Sequence, residues 1–370
     1  MTAAALQLRP REFQAHVHAY LDVASSSVAS VANLSTAVDS VGAGEDRMPV
    51  SINSSEADNT WVCSPHTAYS RYSIEELERF GHAWLTKPLS WLCKGLGGYL
   101  WRARLDDAIG INNWLVSTNL YPELKPSALS AWIEEARARW PRHAIWFRSL
   151  NPRYNSEWLQ ALQTAGFTMI PSRQVYLYDR VDSEAARPKN LRRDLDLLLD
   201  TSLTASDAAH WSPEDFERAE ALYGLLYLKK YSQLNPAYSA QFLSGWHRAG
   251  LLELTGYRDE QGMLQAVVGV FVIGRTITAP IVGYNTAQPQ QAGLYRLLMA
   301  TVYDLAARSG HRINLSAGAA GFKRLRGGVG TMEYSAVCAR HLPRNRQRAI
   351  NMLAKLATGI GEPMMKRFER

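Results

Sequence analysis

One order of secondary-structure elements is predicted twice along this sequence, and this repeat limits the possible folds more than any other feature. Each copy has a strand, an Asn-containing turn with a Pro, a helix, a strand that begins with His, a short helix and an aromatic-rich strand. The helix-to-strand junctions lie at 139–143 and 308–311, and their sequences share little identity. The pattern favours a divergent duplication of one α/β domain, with two unrelated α/β domains as the alternative.

The first copy is predicted from hydrophobic periodicity and from residues that end helices. A helix at 127–140 has apolar residues at helical spacing and ends at Pro141, and Gly166 ends a second helix. The other elements of this copy are strands at 97–105, 111–116, 143–148 and 175–178 and a helix at 156–165.

The second copy repeats this order. Residues 259–262 predict a hairpin turn, and Gly310 ends the long helix. The other elements of this copy are strands at 251–257, 266–273, 277–283, 311–315 and 332–339, a helix at 293–308 and a short helix that reaches Lys323.

Segments outside the two copies complete the division of the chain. Ser73, with Glu76 three residues later, has the spacing of a capping box and predicts a helix start. The other predictions are a helix at 9–32, a polar loop at 36–60, a short strand at 61–65, a charged linker with a short helix at 183–213 and a helix at 213–230. The predicted parts are an N-terminal helix and loop at 1–60, a first domain at 61–182, a linker at 183–212, a second domain at 213–345 and a basic C-terminal helix at 346–370.

The composition is that of a globular protein. The chain has 370 residues, of which 46% are hydrophobic and 20% charged. We expect no membrane span, because no apolar run reaches the length of about 20 residues that a span needs, and no signal peptide, because Met1–Leu6 lacks the basic start. Three scattered cysteines, Cys63, Cys93 and Cys338, form neither a metal-site pattern nor a disulfide framework. They indicate a reducing compartment, and we expect a cytoplasmic protein without a bound metal.

Positive charge is concentrated at the C-terminus. The net charge is +7, and residues 340–370 hold eight Lys and Arg against Glu362 and Glu369. Such a tail suits an anionic partner such as tRNA or a phosphorylated carrier, and a solvated basic surface is the alternative.

Two glycine-containing loops of the second copy are candidates for ligand binding. Gln290, Gly293 and Tyr295 lie where a strand gives way to a helix, and free N–H groups at a helix start attract anions. After the next strand, the small residues Ser316 and Gly318 would let a ligand approach the backbone.

Lys323 ends the second of these loops, directly after Phe322. An ammonium group there could stabilise an oxyanion that forms on an attacked carbonyl. A surface lysine is the alternative.

The segments 283–289, 293–308 and 312–315, with the Phe322–Lys323 step, resemble the C-terminal half of tandem GNAT-fold transferases. These include the Fem-type aminoacyl-tRNA-dependent peptidyl transferases and related acyltransferases. The resemblance covers residues 220–342, and residues 97–180 more loosely. It implies a mixed α/β fold of two GNAT-like domains in tandem, each with a mixed, mostly antiparallel central sheet flanked by helices. The GNAT turn that binds the acyl-CoA pyrophosphate has the pattern Q/R-x-x-G-x-G/A, and this sequence departs from it at Tyr295.

The resemblance implies that an amine attacks an activated acyl group. Lys323 would stabilise the oxyanion, Glu333 would take the amine proton, and Tyr334 would protonate the leaving group. Strand alternation puts Glu333 and Tyr334 on opposite faces, so one of them at most faces the reaction. Tyr284 and Asn285 are competing choices for the proton transfer.

Further polar residues are candidates for substrate binding. Lys230, Tyr231 and Asn235 follow a predicted helix, and Arg148 ends a strand of the first copy. Tyr284, Asn285 and Phe322 complete the set of substrate-binding predictions.

Three functions compete at this point. The first is a CoA-dependent N-acyltransferase, and the second is an aminoacyl-tRNA-dependent transferase. The third is a non-catalytic protein that binds tRNA or another nucleic acid on a degenerate GNAT scaffold. The basic tail and Tyr295 favour the second. We expect acyl-CoA or aminoacyl-tRNA as a co-substrate, no permanently bound cofactor, and a small-molecule amine as acceptor.

Overall fold

The computed structural model describes residues 12–56, 58–79, 83–179 and 187–368. The N-terminal segment examined for a signal peptide, the predicted boundary at 182/183 and the last two residues of the basic C-terminal helix lie outside the described residues.

The described residues form twelve α-helices and eleven strands. The helices are α1 Phe13–Ala29, α2 Tyr72–Arg79, α3 Ala83–Arg102, α4 Pro126–Arg139, α5 Ser156–Thr164, α6 Lys189–Asp200, α7 Pro213–Gly224, α8 Ala240–Arg248, α9 Leu294–Ser309, α10 Ala320–Arg324, α11 Arg344–Leu356 and α12 Glu362–Phe368. The strands are β1 Ala37–Val41, β2 Met48–Ser54, β3 Asp107–Ile111, β4 Ala144–Leu150, β5 Thr168–Tyr178, β6 Thr204–Asp207, β7 Glu253–Arg258, β8 Leu264–Ile273, β9 Thr276–Tyr284, β10 Arg312–Asn314 and β11 Val329–Cys338.

Contacts divide the described residues into two units, each made of separate chain segments. We call them the Arg148 unit and the Lys323 unit. The Arg148 unit is drawn from residues 33–174, 234–236 and 331–370, and the Lys323 unit from residues 1–32, 175–233 and 237–330.

The sheet of the Arg148 unit has the strand order β1-β2-β3-β4-β11, followed by the first part of β5. β1 pairs with β2, β2 with β3 and β4 with β11 in antiparallel fashion, whereas β3 and β4 are parallel. Helix α4 connects the parallel pair, as a crossover between parallel strands requires.

The sheet of the Lys323 unit has the strand order β10-β9-β8-β7-β6, and the end of β5 lies beside β10. Here β9 and β10 are the parallel pair, with α9 between them in sequence, and β5 with β10, β6 with β7, β7 with β8 and β8 with β9 are antiparallel. The predicted fold class, α/β with mixed and mostly antiparallel sheets flanked by helices, is confirmed.

The last strand of each sequence copy completes the sheet of the other copy. β11 ends the second copy but pairs with β4 of the first, with Val337 opposite Trp146. The end of β5 pairs with β10, with Tyr178 opposite Ile313. This exchange is why residues 331–370 group with the first copy, although they follow the second copy in sequence.

Two sequence-based predictions of local structure were wrong. Residues 36–60 were expected to be a loop, but they contain β1 and β2. The polar Ser51 and Asn53 of β2 are buried and hydrogen-bonded, so polar side chains occupy inward positions and hide the strand pattern. Residues 97–105 were expected to be a strand, but most of them belong to α3, in which Leu100 is buried whereas Tyr99 and Trp101 are exposed.

Other boundaries moved for local reasons. Residues 111–116 were expected to be a strand, but β3 lies at 107–111 and shares only Ile111 with that range, because Asn112 and Leu115 have φ of 57° and 58°, which a strand cannot contain. Residues 61–65, expected to be a strand, form a turn and the start of a helix. Ser73 lies inside a helix, where its hydroxyl donates to Ala68 O, and it is not the N-cap that its spacing from Glu76 predicted. The linker holds an extra strand, β6, and the helix expected at 213–230 continues after Gly224 as a π-helical turn.

No helix within these described ranges has both the length and the apolar character that a bilayer crossing needs.

One buried carboxylate joins three segments of the Lys323 unit. Asp194 of α6 has a side chain that is 1% exposed, and it forms ion pairs with Arg296 of α9 and with Arg326. The Arg326 guanidinium also lies over the Phe322 ring, 3.4 Å from its centroid. Asp194 therefore holds α6 against α9 and the segment after α10.

We predict that Asp194→Asn lowers the free energy of unfolding by about 3–5 kcal/mol, because it leaves a buried guanidinium without its counter-charge. Asp304→Asn is the matched control: its ion pair with Arg308 is exposed and worth about 0.5 kcal/mol or less. Urea denaturation of both variants measures the difference. Equal losses in the two variants would contradict this role for Asp194.

A second prediction concerns pH. Burial raises the pKa of the Cys338 thiol, but hydrogen bonds with His341 and Arg137 outweigh it and bring the pKa from 9.0 to about 7. Because the folded pKa lies below the unfolded one, this thiolate stabilises the fold fully above pH 9 and loses its effect as pH falls through 7.

We therefore expect Cys338→Ala to lower the free energy of unfolding at pH 9 by about 2–3 kcal/mol more than at pH 6. Cys63→Ala is the control, since burial and Asp106 raise the pKa of that thiol and leave it neutral over this range. A Cys338→Ala effect that is the same at both pH values would contradict the assignment of a thiolate.

Candidate functional site

The carboxyl ends of the parallel strands β3 and β4 carry a polar cluster in the Arg148 unit. The strands pair from Ala108 to Gly110, and Asn112 and Ser149 then take left-handed φ angles of 57° and 65°. Residues with side chains rarely adopt this conformation, and they concentrate at functional sites. Ligands of α/β sheets bind beyond the carboxyl ends of parallel strands, so this end of the sheet is the candidate site.

Arg148 lies at the centre of the cluster, near the end of β4. Its Nη1 donates to Val62 O at 2.6 Å and to Asn113 Oδ1 at 3.0 Å. The pKa of Arg148 is lowered to about 10, because burial and then nearby Arg173 lower it more than Glu333 raises it. Among the described residues, its Nε and Nη2 have no hydrogen-bond acceptor, so two donors of one guanidinium are available to a ligand.

Arg173 of β5 and Glu333 of β11 form the second half of the cluster. Arg173 Nε lies 2.7 Å from Glu333 Oε1, and the Glu333 side chain is 3% exposed. Arg173 Nη2 donates to Ser117 O and Thr118 Oγ1, which fixes the guanidinium in place. Within the described part of the chain, Glu333 Oε2 is buried and has no hydrogen-bond partner.

Trp61 joins the two arginines. The guanidinium carbons of Arg148 and Arg173 lie 5.2 and 5.0 Å from the centroid of its ring, within the range of cation–π attraction. Asn235, which the sequence assigned to substrate binding, accepts a hydrogen bond from Trp61 Nε1 at 2.9 Å. In this structure Asn235 therefore positions the indole.

The cluster combines two cations, one anion and an aromatic face. Its net charge is one positive charge in a partly desolvated place, where electrostatic interactions are stronger than in water. It can bind an anion through Arg148 and accept a proton or a hydrogen bond at Glu333 Oε2.

Tyr334 faces away from this cluster. Its hydroxyl donates to Glu362 Oε1 at 3.2 Å, and Lys366 Nζ lies 2.6 Å from the same oxygen. Burial and then Glu362 raise the pKa of Tyr334 to about 12. The alternation predicted from the sequence therefore puts Glu333, and not Tyr334, beside the arginines.

Lys323 belongs to the Lys323 unit and is 3% exposed. Its ammonium donates to three backbone carbonyls just beyond β10, those of Leu315 at 2.7 Å, Ser316 at 3.2 Å and Ala317 at 2.8 Å. Its Nζ also lies 5.6 Å from the centroid of the Tyr176 ring. In this arrangement the ammonium fixes the loop, and it would have to release a carbonyl to reach an oxyanion.

The predicted pyrophosphate turn is covered by α6. Gly293 starts α9 with φ 64°, and a Cβ built there would lie 3.1 Å from Leu197 Cδ2 of α6. Tyr295 packs edge-on against Phe322, with ring centroids 4.8 Å apart, and burial raises the pKa of Tyr295. Gln290 is exposed. The side chains that follow Gly293 are thus used for packing within the unit.

The remaining predicted residues lie around this loop region of the Lys323 unit. Asn285 orders its own turn, because Nδ2 donates to Gln265 Oε1 and Oδ1 accepts from Ala287 N. Tyr284 lies 6.3 Å from Tyr295 between ring centroids. Lys230 and Tyr231 are exposed at the end of the π-helical turn, and Gly318 is exposed in the loop before α10. Their roles in binding stay predictions.

Three residues of the cluster were not among the sequence-based site predictions. Arg173 carried a signal, since Ser172, Arg173 and Gln174 are consecutive polar residues directly before the strand predicted at 175–178, but Trp61 and Asn113 carried none. Trp61 lies in a turn whose neighbours in space come from distant segments. No group of three His, Cys, Asp or Glu among the described residues is arranged to hold a metal ion.

The chain is similar to several solved structures at low sequence identity. L-PGS from Bacillus licheniformis is 11% identical, covers 67% of this chain and 82% of its own, and has a TM-score of 0.46. FemX is 11% identical over 62% of this chain and 79% of its own, with a TM-score of 0.47. A tandem GNAT protein from the clavulanic acid biosynthesis pathway is 12% identical over 62% and 75%, with a TM-score of 0.34. No family model matches the sequence, and no curated protein matches it.

We predict that Lys323→Met lowers the free energy of unfolding by about 2–4 kcal/mol, because it leaves buried carbonyl oxygens without a donor. Arg324→Met is the control, since the neighbouring Arg324 is exposed and its replacement should change stability by about 0.5 kcal/mol or less. Urea denaturation tests both. If Lys323→Met unfolds at the wild-type urea concentration, the ammonium has no structural role.

Proposed function

We propose that this chain transfers an acyl or aminoacyl group from an activated carrier to a small amine and forms an amide, with its chemistry in the Arg148 unit. The observation that carries the proposal is Glu333 Oε2, a buried carboxylate oxygen without a donor, beside two guanidinium groups. Amide formation needs a proton acceptor and a stabilised negative charge at one place, and this cluster offers both.

Glu333 is the proton acceptor of the proposed step. An amine must be neutral to attack, so an incoming ammonium first gives a proton to water, and Oε2 stays unprotonated for the next one. The amine nitrogen then attacks the acyl carbon, a C–N bond forms, and the bond from the acyl carbon to the carrier oxygen or sulfur breaks. The proton that the nitrogen loses passes through Glu333 to the departing carrier. Arg173 holds Oε1 and so orients the carboxylate toward the amine.

Arg148 is suited to negative charge near this step. Its Nε and Nη2 are available within a low-dielectric surrounding, where charge-assisted hydrogen bonds are strong. The buried hydrogen bonds to Val62 and Asn113 keep the guanidinium in one orientation, so little reorganisation is needed when charge develops.

Aminoacyl-tRNA is the donor that the contacts favour. Leu197 lies over the start of α9, and the start of α4 is covered as well, because Lys125 pairs with Asp46 and Trp132 donates to Asp46 O. A CoA pyrophosphate that bound at either helix start would have to displace these contacts. Five exposed basic residues lie on α11 and α12 and suit a phosphate backbone: Arg344, Arg348, Lys355, Lys366 and Arg367.

A second candidate is a non-catalytic protein that binds tRNA or another nucleic acid. The contacts of Lys323 favour it, because an ammonium held by three carbonyls is a structural group and not a reactive one. This candidate predicts salt-sensitive RNA binding without product formation.

The test offers acyl-CoA and aminoacyl-tRNA separately with a panel of amines and detects amides by mass spectrometry. We expect product from at least one donor, and Glu333→Gln should slow its formation about a hundredfold or more, because the amide side chain cannot take a proton. Glu135→Gln is the matched control, as Glu135 is also ion-paired in the Arg148 unit but lies on the exposed side of α4. It should keep the wild-type rate.

Two outcomes would count against the proposal. Absence of product from both donors, with RNA binding intact, would support the non-catalytic candidate. If Glu333→Gln kept the wild-type turnover and Tyr334→Phe were inactive, the reaction would take place on the other face of β11, where Tyr334 lies.

A further inference from the structure

Arg148 is a cation that the described residues do not neutralise. Its contacts are a carbonyl oxygen, an amide oxygen and the Trp61 ring. The nearest acidic partner of the cluster, Glu333, is already bound to Arg173. A half-buried cation without a counter-charge is costly, and an anionic ligand group would remove that cost.

The available donors fit a carboxylate. Nε and Nη2 of one guanidinium form a planar fork that binds both oxygens of a carboxylate at once. The cluster carries one net positive charge, which a carboxylate neutralises and a phosphate dianion exceeds.

The other open position of the cluster requires the opposite kind of group. Glu333 Oε2 is an acceptor, and its side chain is 3% exposed, so a ligand N–H or O–H would satisfy it. The guanidinium carbons of Arg148 and Arg173 both lie within 5.2 Å of the centroid of the Trp61 ring, and Arg173 is paired with Glu333, so the two open positions belong to one cluster of side chains.

We infer that the acceptor is an amino-acid-like molecule, with its carboxylate on Arg148 and its amine on Glu333. The identification of the amine as the reacting group rests on the proposed function, whereas the binding of such a molecule does not. The carboxylate would anchor the acceptor so that its nitrogen lies against Oε2 before the acyl group arrives.

The experiment measures binding to the full chain without any donor. A panel of the proteinogenic amino acids and β-alanine is screened by thermal shift, and the best binder is measured by calorimetry beside two matched probes, its decarboxylated amine and its deaminated acid. We expect the amino acid to raise the Tm and each probe to bind about tenfold or more weakly, since each has lost one charge-assisted hydrogen bond.

Variants assign the carboxylate to Arg148. Arg148→Met should bind the amino acid and its decarboxylated amine equally, and Arg148→Lys should keep part of the preference, because it retains the charge without the fork. Arg139→Met, an exposed arginine of α4 in the same unit, is the control and should keep the full preference. The comparison of probes on the wild-type chain holds even if Arg148→Met fails to fold.

The outcomes separate this inference from the proposed function. Equal binding of the amino acid and its decarboxylated amine by the wild-type chain would overturn it, as would a panel in which no amino acid raises the Tm. Amides formed equally well on amines without a carboxylate would overturn it while the proposed function stands. Amino-acid binding without amide formation from either donor would support it and count against the proposed function.

Discussion

The hydrogen bonds between β4 and β11 decide where the chemistry of this chain can lie. This pairing places Glu333, which belongs to the second sequence copy, in the unit that holds Arg148. Without it, Arg173 would have no counter-charge and Arg148 would lose the one acidic residue that raises its pKa. The candidate site therefore depends on a pairing between strands that lie far apart in sequence.

Each unit has a pair of parallel strands joined by a helix, but the residues beyond the carboxyl ends of these strands differ between the units. In the Arg148 unit, the carboxyl ends of the parallel strands lead to arginines, asparagines and a carboxylate with an unsatisfied oxygen. In the Lys323 unit, the corresponding end is packed by Tyr295, Phe322 and Lys323, whose polar group is satisfied by backbone carbonyls. The loop at Phe322 and Lys323, which looked the stronger candidate site in the sequence, is thus the more completely packed of the two.

Sequence analysis predicted the second copy better than the first, for physical reasons. Helix α9 has a strongly apolar face and ends at Gly310, which takes the left-handed conformation expected at that position, with φ 68°. In the Arg148 unit, Ser51 and Asn53 place buried polar groups in β2, and Tyr99 and Trp101 of α3 are exposed, so the hydrophobic pattern gave a wrong prediction at both segments. Local patterns could not predict the exchange of the last strands, because it depends on pairing between distant segments.

The candidate site was predictable only in part. Arg148 was identified from its position at a strand end and Glu333 from its place on the strand after Lys323, whereas the link between them through Arg173 and Trp61 depends on the tertiary fold. Lys323 was identified as reactive because its loop is rich in small residues. Those same residues let three carbonyls converge on its ammonium.

A crystal structure of the chain with a bound amino acid from the panel tests the central claim most directly. The account predicts the ligand carboxylate within hydrogen-bond distance of Arg148 Nε and Nη2 and the ligand nitrogen within hydrogen-bond distance of Glu333 Oε2. An amino acid seated instead at the loop around Lys323 and Gly293, with the Arg148 cluster unchanged, would contradict it.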